Sequence, residues 1–273
     1  MRRKILLIIM IFIGCVALTV YYTHPFIKSG VEKHAHISID DVVKCYQRLV
    51  RDSATYKSIF DDPFFSYLKN LHDGYGCSVT LYSFLRNDSD FTIQQVPTKF
   101  KKDFETNRDW LKIGFHGVKP LSHRPTNRSF AEFTRAYKLF NSAVGMFAGE
   151  GSIAKTLRLD FYYTTKQEAN FLKQNGVSTL LSADDDRISY SLPFKMNRHI
   201  IRNNSIRYDS IKYLRTSIRI ENIDVPYINI VKNRMIDTLV VFTHEWKLNR
   251  INRYKLERTV EILKDCDYTF ISE

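Results

Sequence analysis

The sequence predicts an α/β protein in which parallel strands alternate with helices behind one N-terminal transmembrane helix. Three observations carry this. Arg2, Arg3 and Lys4 precede an apolar run from Ile5 to Tyr22 that contains no charge. From His36 onward, short β-rich runs alternate with amphipathic helical runs. Polar, chemically able residues then stand wherever an apolar strand stops.

The run from Ile5 to Tyr22 is just long enough to span a bilayer, and its basic flank belongs on the cytoplasmic side. Residues 1–27 are therefore expected to be an uncleaved membrane anchor, with residues 28–273 a single domain outside the cytoplasm. A cleaved signal peptide is the main alternative, but Thr23-His24-Pro25-Phe26 offers no small-x-small cleavage site. Lipidation at Cys15 is a second alternative, since Gly14 precedes it, although the apolar run continues beyond.

The chain of 273 residues has an ordinary apolar share and a formal charge of +12, which excludes disordered and fibrous classes. The basic excess favours an anionic surface or acidic polymer, or is simply a solvating surface. The Arg-rich stretches form no nucleic-acid motif, so no nucleic-acid partner is expected, and no protein partner is evident. Cys45, Cys77 and Cys266 lack metal-type spacing. The 16 Tyr and 19 Phe fit either a well-filled core or a sugar-stacking surface.

His36 to Ile39 alternates as a strand ending on Asp40-Asp41, and Val42 to Val50 reads as a helix. Strands follow at Cys77 to Phe84, Trp110 to Phe115, Thr156 to Tyr162 and Ser178 to Ser182. Ser129-Phe130-Ala131-Glu132 forms a capping box that opens a helix reaching about Asn141. Thr165 to Gln174 is a helix stopped by Asn175-Gly176. Ile188 to Phe194 and Ser210 to Ile220 read as strands of a hairpin-like insertion, Thr238 to Thr243 as the last strand, and Asn252 to Lys264 as a closing helix.

The strand ends hold Asp40-Asp41, His116, Asp184 to Asp186 and His244-Glu245. In a parallel β/α architecture those ends share one face, where such folds place their sites. Any one of them would also serve as a helix cap; Asp40 or Asp41, for instance, stands just before a helix.

In order, these residues resemble the polysaccharide deacetylase family, carbohydrate esterase family 4, and its relatives on a distorted β/α barrel. Ser38-Ile39-Asp40-Asp41-Val42 stands where the family has Thr-Phe-Asp-Asp-Gly, and Gly114-Phe115-His116-Gly117 supplies the first His of its His-x-x-x-His. Arg158 in Thr156-Leu157-Arg158-Leu159-Asp160 matches the motif Arg, Ala183-Asp184-Asp185-Asp186 the Asp-containing turn, and Val240-Val241-Phe242-Thr243-His244 the terminal Leu-x-His strand. The resemblance covers roughly residues 35 to 265 and implies a divergent member, a metal-dependent hydrolase removing acetyl groups from a polysaccharide or acetylated sugar. It implies Asp40 as general base, Arg158 as its positioning partner and His244 as general acid. Asp41 and His116 would hold a divalent metal, usually zinc, and Trp246, Tyr162 and Asp185 would contact the sugar.

Two departures from the family stand out. Pro120 replaces the second metal His, leaving His123 as the candidate third ligand, and Val42 replaces the Gly. Hydrolytic zinc sites generally use three protein ligands plus water. Loss of the metal would leave a membrane-tethered glycan-binding or scaffolding module, which is the alternative reading.

Overall fold

The computed structural model describes residues 32–88, 90–122, 124–233 and 235–272. The expected anchor, residues 1–27, lies outside them. Among the described residues no helix is long and apolar enough to cross a membrane.

The strands are β1 (Lys33–Val42), β2 (Val79–Phe84), β3 (Leu111–Gly117), β4 (Thr156–Leu157), β5 (Thr179–Ser182), β6 (Ser205–Tyr208), β7 (Ile211–Arg215), β8 (Ile218–Arg219), β9 (Thr238–His244) and β10 (Tyr268–Phe270). One sheet has the order β3-β2-β1-β9-β8 with β10 beside the start of β1; a second has the order β4-β5-β7-β6. Every pairing is parallel except the β6-β7 hairpin.

The two sheets join at two places. Ile113 and Ile153 form a parallel bridge, and Ala154 N donates to Ile113 O at 3.0 Å. On the other side, β7 runs into β8 through Thr216 and Ser217, whose amides bond Ser182 O and Val240 O at 3.3 and 2.9 Å. The ring thereby closes as an irregular barrel, with β6 hanging on β7 outside the closure.

Around the ring pack α1 (Lys44–Arg51), α2 (Pro63–Tyr75), α3 (Lys101–Thr106), α4 (Phe130–Ala148), α5 (Lys166–Gln174), α6 (Phe194–Asn203), α7 (Pro226–Lys232) and α8 (Arg250–Asp265). The long α4 covers β3: Phe115 is fully buried against the rings of Phe133, Tyr137 and Phe140 at 5.4 to 5.9 Å. Phe115 is thus a core residue and does not wall a sugar pocket.

Strand β1 shows how the sequence writes both faces of the barrel. Side chains alternate along a strand. Ala35, Ile37 and Ile39 are fully buried in the hydrophobic core. His36, Ser38 and Asp40 face the barrel interior, where they meet Tyr82 and Arg158. His36 is buried, and burial pulls its imidazole down to about 3, so it sits in the barrel as a neutral packing group.

Several elements differ from the sequence expectation, each for a local reason. The strand expected over Thr156 to Tyr162 stops at Leu157, because Phe161 and Tyr162 take positive φ of 54° and 51° in a tight turn. Ile188 to Phe194 is not a strand. Tyr190 and Ser191 have φ of 56° and 52°, and Pro193 leads into α6 instead. The helix after Ser129 runs to Ala148, about two turns beyond the expected end. The expected strand Ser210 to Ile220 divides into β7 and β8, and it is β6 that forms the hairpin with β7 around Asp209 and Ser210, both at positive φ. Helix α2 is additional; Asp62 caps it through the amides of Phe64 and Phe65, and Pro63 begins it. Cys45, Cys77 and Cys266 are free.

Candidate active site

The C-terminal ends of β1, β3 and β9 and the turn after β4 converge at one mouth of the barrel. Asp40 lies at the end of β1, 2 % exposed. Its Oδ1 accepts from Nη1 of Arg158 at 2.9 Å. Arg158 is itself fully enclosed: Nη1 also donates to Ser38 Oγ at 2.8 Å, Nη2 donates to Thr216 Oγ1 at 3.0 Å, and Phe242 lies 4.3 Å beneath the guanidinium. An ionised carboxylate survives such burial only when it is paired and hydrogen-bonded, and Arg158 supplies both.

Consecutive strand residues point to opposite faces, so Asp40 and Asp41 should not share a site. A kink resolves this. The β1-β2 register shifts between Ile39 and Val42, and Asp41 sits at φ +58°, a left-handed conformation that Asp tolerates better than most residues. Asp41 Oδ1 then lies 3.2 Å from His116 Nε2, and its Oδ2 accepts from Trp246 Nε1 at 2.8 Å.

His116 is oriented from behind. Its Nδ1 donates to the carbonyl of Arg158 at 2.6 Å, which directs Nε2 toward Asp41. Burial lowers the His116 pKa, but the bond to Asp41 and the charges of Asp40, Asp41 and Asp160 outweigh it and push it up to about 9. Burial likewise raises Asp41, yet His116 and Trp246 hold it down to about 2. The two side chains thus lie as a close pair, each favouring the other's charged form.

His244 ends β9 in direct register with Asp40. Its Nδ1 donates to Glu221 Oε1 at 3.0 Å, and the same oxygen accepts from the His244 amide at 2.9 Å and Thr243 Oγ1 at 3.0 Å. Trp246 packs against the imidazole at 5.5 Å between ring centroids while remaining half-exposed at the mouth. The cap of α1 is neither Asp40 nor Asp41. Glu245, from the far end of the chain, accepts from the amides of Val43, Lys44 and Cys45 at 2.8, 2.8 and 2.7 Å.

Asp185 instead makes its bonds within its own loop, to Arg187. Tyr162 is largely buried under the guanidinium of Arg187, 5.5 Å from its ring. His123 lies outside the described residues.

Two acidic residues at the mouth escaped the sequence reading. Glu221 follows β8, just past the run Ser210 to Ile220 expected as strand, with no motif to mark it. Asp160 was visible only as the last residue of Thr156-Leu157-Arg158-Leu159-Asp160. Its Oδ2 is buried without a hydrogen-bond partner, and burial pushes its carboxyl up to about 6 against the opposing charge of His116.

Metal-ligating histidines usually tie their second ring nitrogen to a carbonyl or carboxylate, and His116 does this. Asp41 and His116 are two donors of the kind zinc accepts. Among the described residues, however, no three His, Cys, Asp or Glu side chains are placed to hold a metal ion. Among the described residues the donor set is thus one short; Pro120 follows His116 by four positions, and His123 lies outside the described residues.

With this geometry in view, the solved structures become informative. The Bc1960 peptidoglycan N-acetylglucosamine deacetylase aligns over 88 % of this chain and 86 % of its own, at 11 % identity and a TM-score of 0.51. The chain shares that deacetylase fold. The catalytic domain of a peptidoglycan N-acetylglucosamine deacetylase from Eubacterium rectale aligns over 91 % of both chains at 14 % identity and a TM-score of 0.42. The polysaccharide deacetylase Bc1974 from Bacillus cereus aligns over 89 % and 92 % at 11 % identity and 0.45. No family model matches the chain, and no curated protein matches its sequence.

Proposed function

We propose that this deacetylase-fold chain is a hydrolase that removes acetyl groups from a glycan, with Asp40 as general base and His244 as general acid. The observation that carries the reading is their register. The two residues are direct partners on adjacent parallel strands, and each has its own orienting group, the buried Arg158 for Asp40 and the partly buried Glu221 for His244. Hydrolysis of an acetyl amide or ester needs a group to take a proton from water and another to give one to the departing nitrogen or oxygen. The adjacency of Asp40 and His244 supports assigning them those two duties, with the half-exposed ring of Trp246 offered to a sugar beside them.

A divalent metal at Asp41 and His116 would polarise the acyl carbonyl. Because the described residues supply only two donors, the proposal assigns no step to it. The experiment is acetate release from acetylated glycans by the full chain, with and without a chelator. Release that disappears in Asp40→Asn, assayed at a temperature where the variant is still folded, supports the reading; no release across neutral, acidic and amino-sugar substrates sinks it.

Pro120, four positions after His116, favours a second reading, a glycan-binding module on the same barrel. In that case glycan binding survives both the chelator and Asp40→Asn, with no acetate released. The N-terminal anchor and an extracytoplasmic position for the domain, proposed from Arg2 to Tyr22, are tested by fractionation and protease accessibility of tagged cells.

A further inference from the structure

A cavity of about 660 Å³ opens beside the mouth, with His116 and Asp160 on its wall. That volume lies within the range of pockets that enclose small ligands. Its apolar lining includes Leu121 and Leu139, each more than a third exposed. Four cations line it: Arg86, Lys119, Arg128 and Arg135.

The partners of these cations decide how much charge is available. Arg128 is committed to the structure, bonded to the buried Glu168 at 2.9 Å. Lys119 pairs with Asp88 at 2.6 Å, but both are well exposed, and such surface pairs contribute little and exchange readily. Arg86 and Arg135 are exposed and have no carboxylate partner among the described residues. Of the two acids that line the cavity, Glu132 is occupied in the capping box with Ser129, and Asp160 sits at the inner end by His116. The four cations of the lining outnumber its two acids, and Arg86 and Arg135 are the ones left without a carboxylate partner among the described residues.

We propose that this cavity is a glycan subsite for a carboxylate-bearing sugar, so that the preferred substrate is an acidic, acetylated polysaccharide. Arginine suits a sugar carboxylate because its planar fork donates two parallel hydrogen bonds. The apolar lining matches the C–H face of a pyranose ring. The inference rests on the hydrolase reading for the word substrate, while the binding itself stands apart from it.

The test compares the full chain on acetylated polygalacturonate and on acetylated xylan, a neutral polymer, measuring binding by calorimetry and acetate release separately. The expected result is tighter binding of polygalacturonate, weakened at least tenfold more than xylan binding in Arg86→Glu/Arg135→Glu. The control is Lys57→Glu/Lys102→Glu, which makes the same charge change on exposed residues away from the cavity; it keeps the preference. Equal losses on both polymers, or an equal effect of the control pair, overturn the subsite. Arginine-dependent binding without acetate release from either polymer leaves the subsite standing and sinks the hydrolase reading instead.

Discussion

Glu221 Oε1 accepts from Nδ1 of His244 at 3.0 Å and also from the backbone amide of that histidine. One carboxylate oxygen thus fixes both the main chain and the ring, and leaves Nε2 as the nitrogen with freedom to exchange a proton. Glu221→Gln keeps an acceptor of the same shape but removes the charge that would stabilise the imidazolium. The expected outcome is a kcat lower by about 100-fold with little change in KM, within the usual range for a general acid. A fall in KM alone, or no change, rules out the positioning role.

The same pair makes a pH prediction. Burial raises the Glu221 carboxyl, but the bonds to His244 outweigh this and hold it down to about 2. A carboxyl depressed below its unfolded value of about 4.3 binds fewer protons in the folded chain. Its stabilisation is therefore fully present above about pH 5 and is lost as pH falls toward 2, a change of at most ~3 kcal/mol. Urea unfolding at pH 7 and pH 3 checks this: wild type should lose markedly more stability on acidification than Glu221→Gln. Parallel losses would show that the carboxylate is not so held.

Arg158 and Asp40 should behave as one unit. Removing the guanidinium leaves a carboxylate buried without its partner, which typically costs 3–5 kcal/mol. Arg158→Met is therefore expected to be severely destabilised, and Arg158→Met/Asp40→Asn to recover a good part of that loss. A double-mutant cycle on unfolding midpoints reads the coupling directly. Additive effects would mean that Thr216, Ser38 and the Phe242 face hold the arginine without help from Asp40.

Glu245→Ala removes a single side chain that serves three amides at the start of α1, and caps of this kind contribute about 1–2 kcal/mol. Glu245→Gln keeps one acceptor and should fall between the two. Because α1 follows Asp40 and Asp41 directly, loss of acetate release is expected to exceed what the lowered stability explains. Equal thermal midpoints for wild type and Glu245→Ala would remove the capping role.

How much of this was legible beforehand depended on the range of each interaction. The alternation of strands and helices and the cluster of strand ends follow from local periodicity, and Asp40, Asp41, His116, Arg158 and His244 do converge in the structure. The turn at Asp160 to Tyr162 was not legible, because two residues of ordinary strand composition, Phe161 and Tyr162, take left-handed backbone beside the buried Arg158 and Tyr190. Glu221 and Glu245 act across roughly 20 and 200 residues of chain, and no local pattern marks such a contact. The register shift that turns Asp41 into the same mouth as Asp40 is equally invisible in a string of letters.

Asp160 offers the sharpest separation between a carboxylate that serves the fold and one that does not. Burial pushes it up to about 6, the nearby charge of His116 only partly offsets this, and Oδ2 has no partner. An acid raised above its unfolded value of about 3.9 holds a proton more tightly when folded. Stability therefore falls as pH rises from about 4 through 6 and stays lower above that. Asp160→Asn, neutral at every pH, is expected to be more stable than wild type by about 1–2 kcal/mol at pH 8, with the difference shrinking toward pH 4. Chemical denaturation at the two pH values measures it. If Asp160→Asn is instead the less stable protein at pH 8, the carboxylate is satisfied by a group that binds beside His116, and the strain assigned to it is wrong.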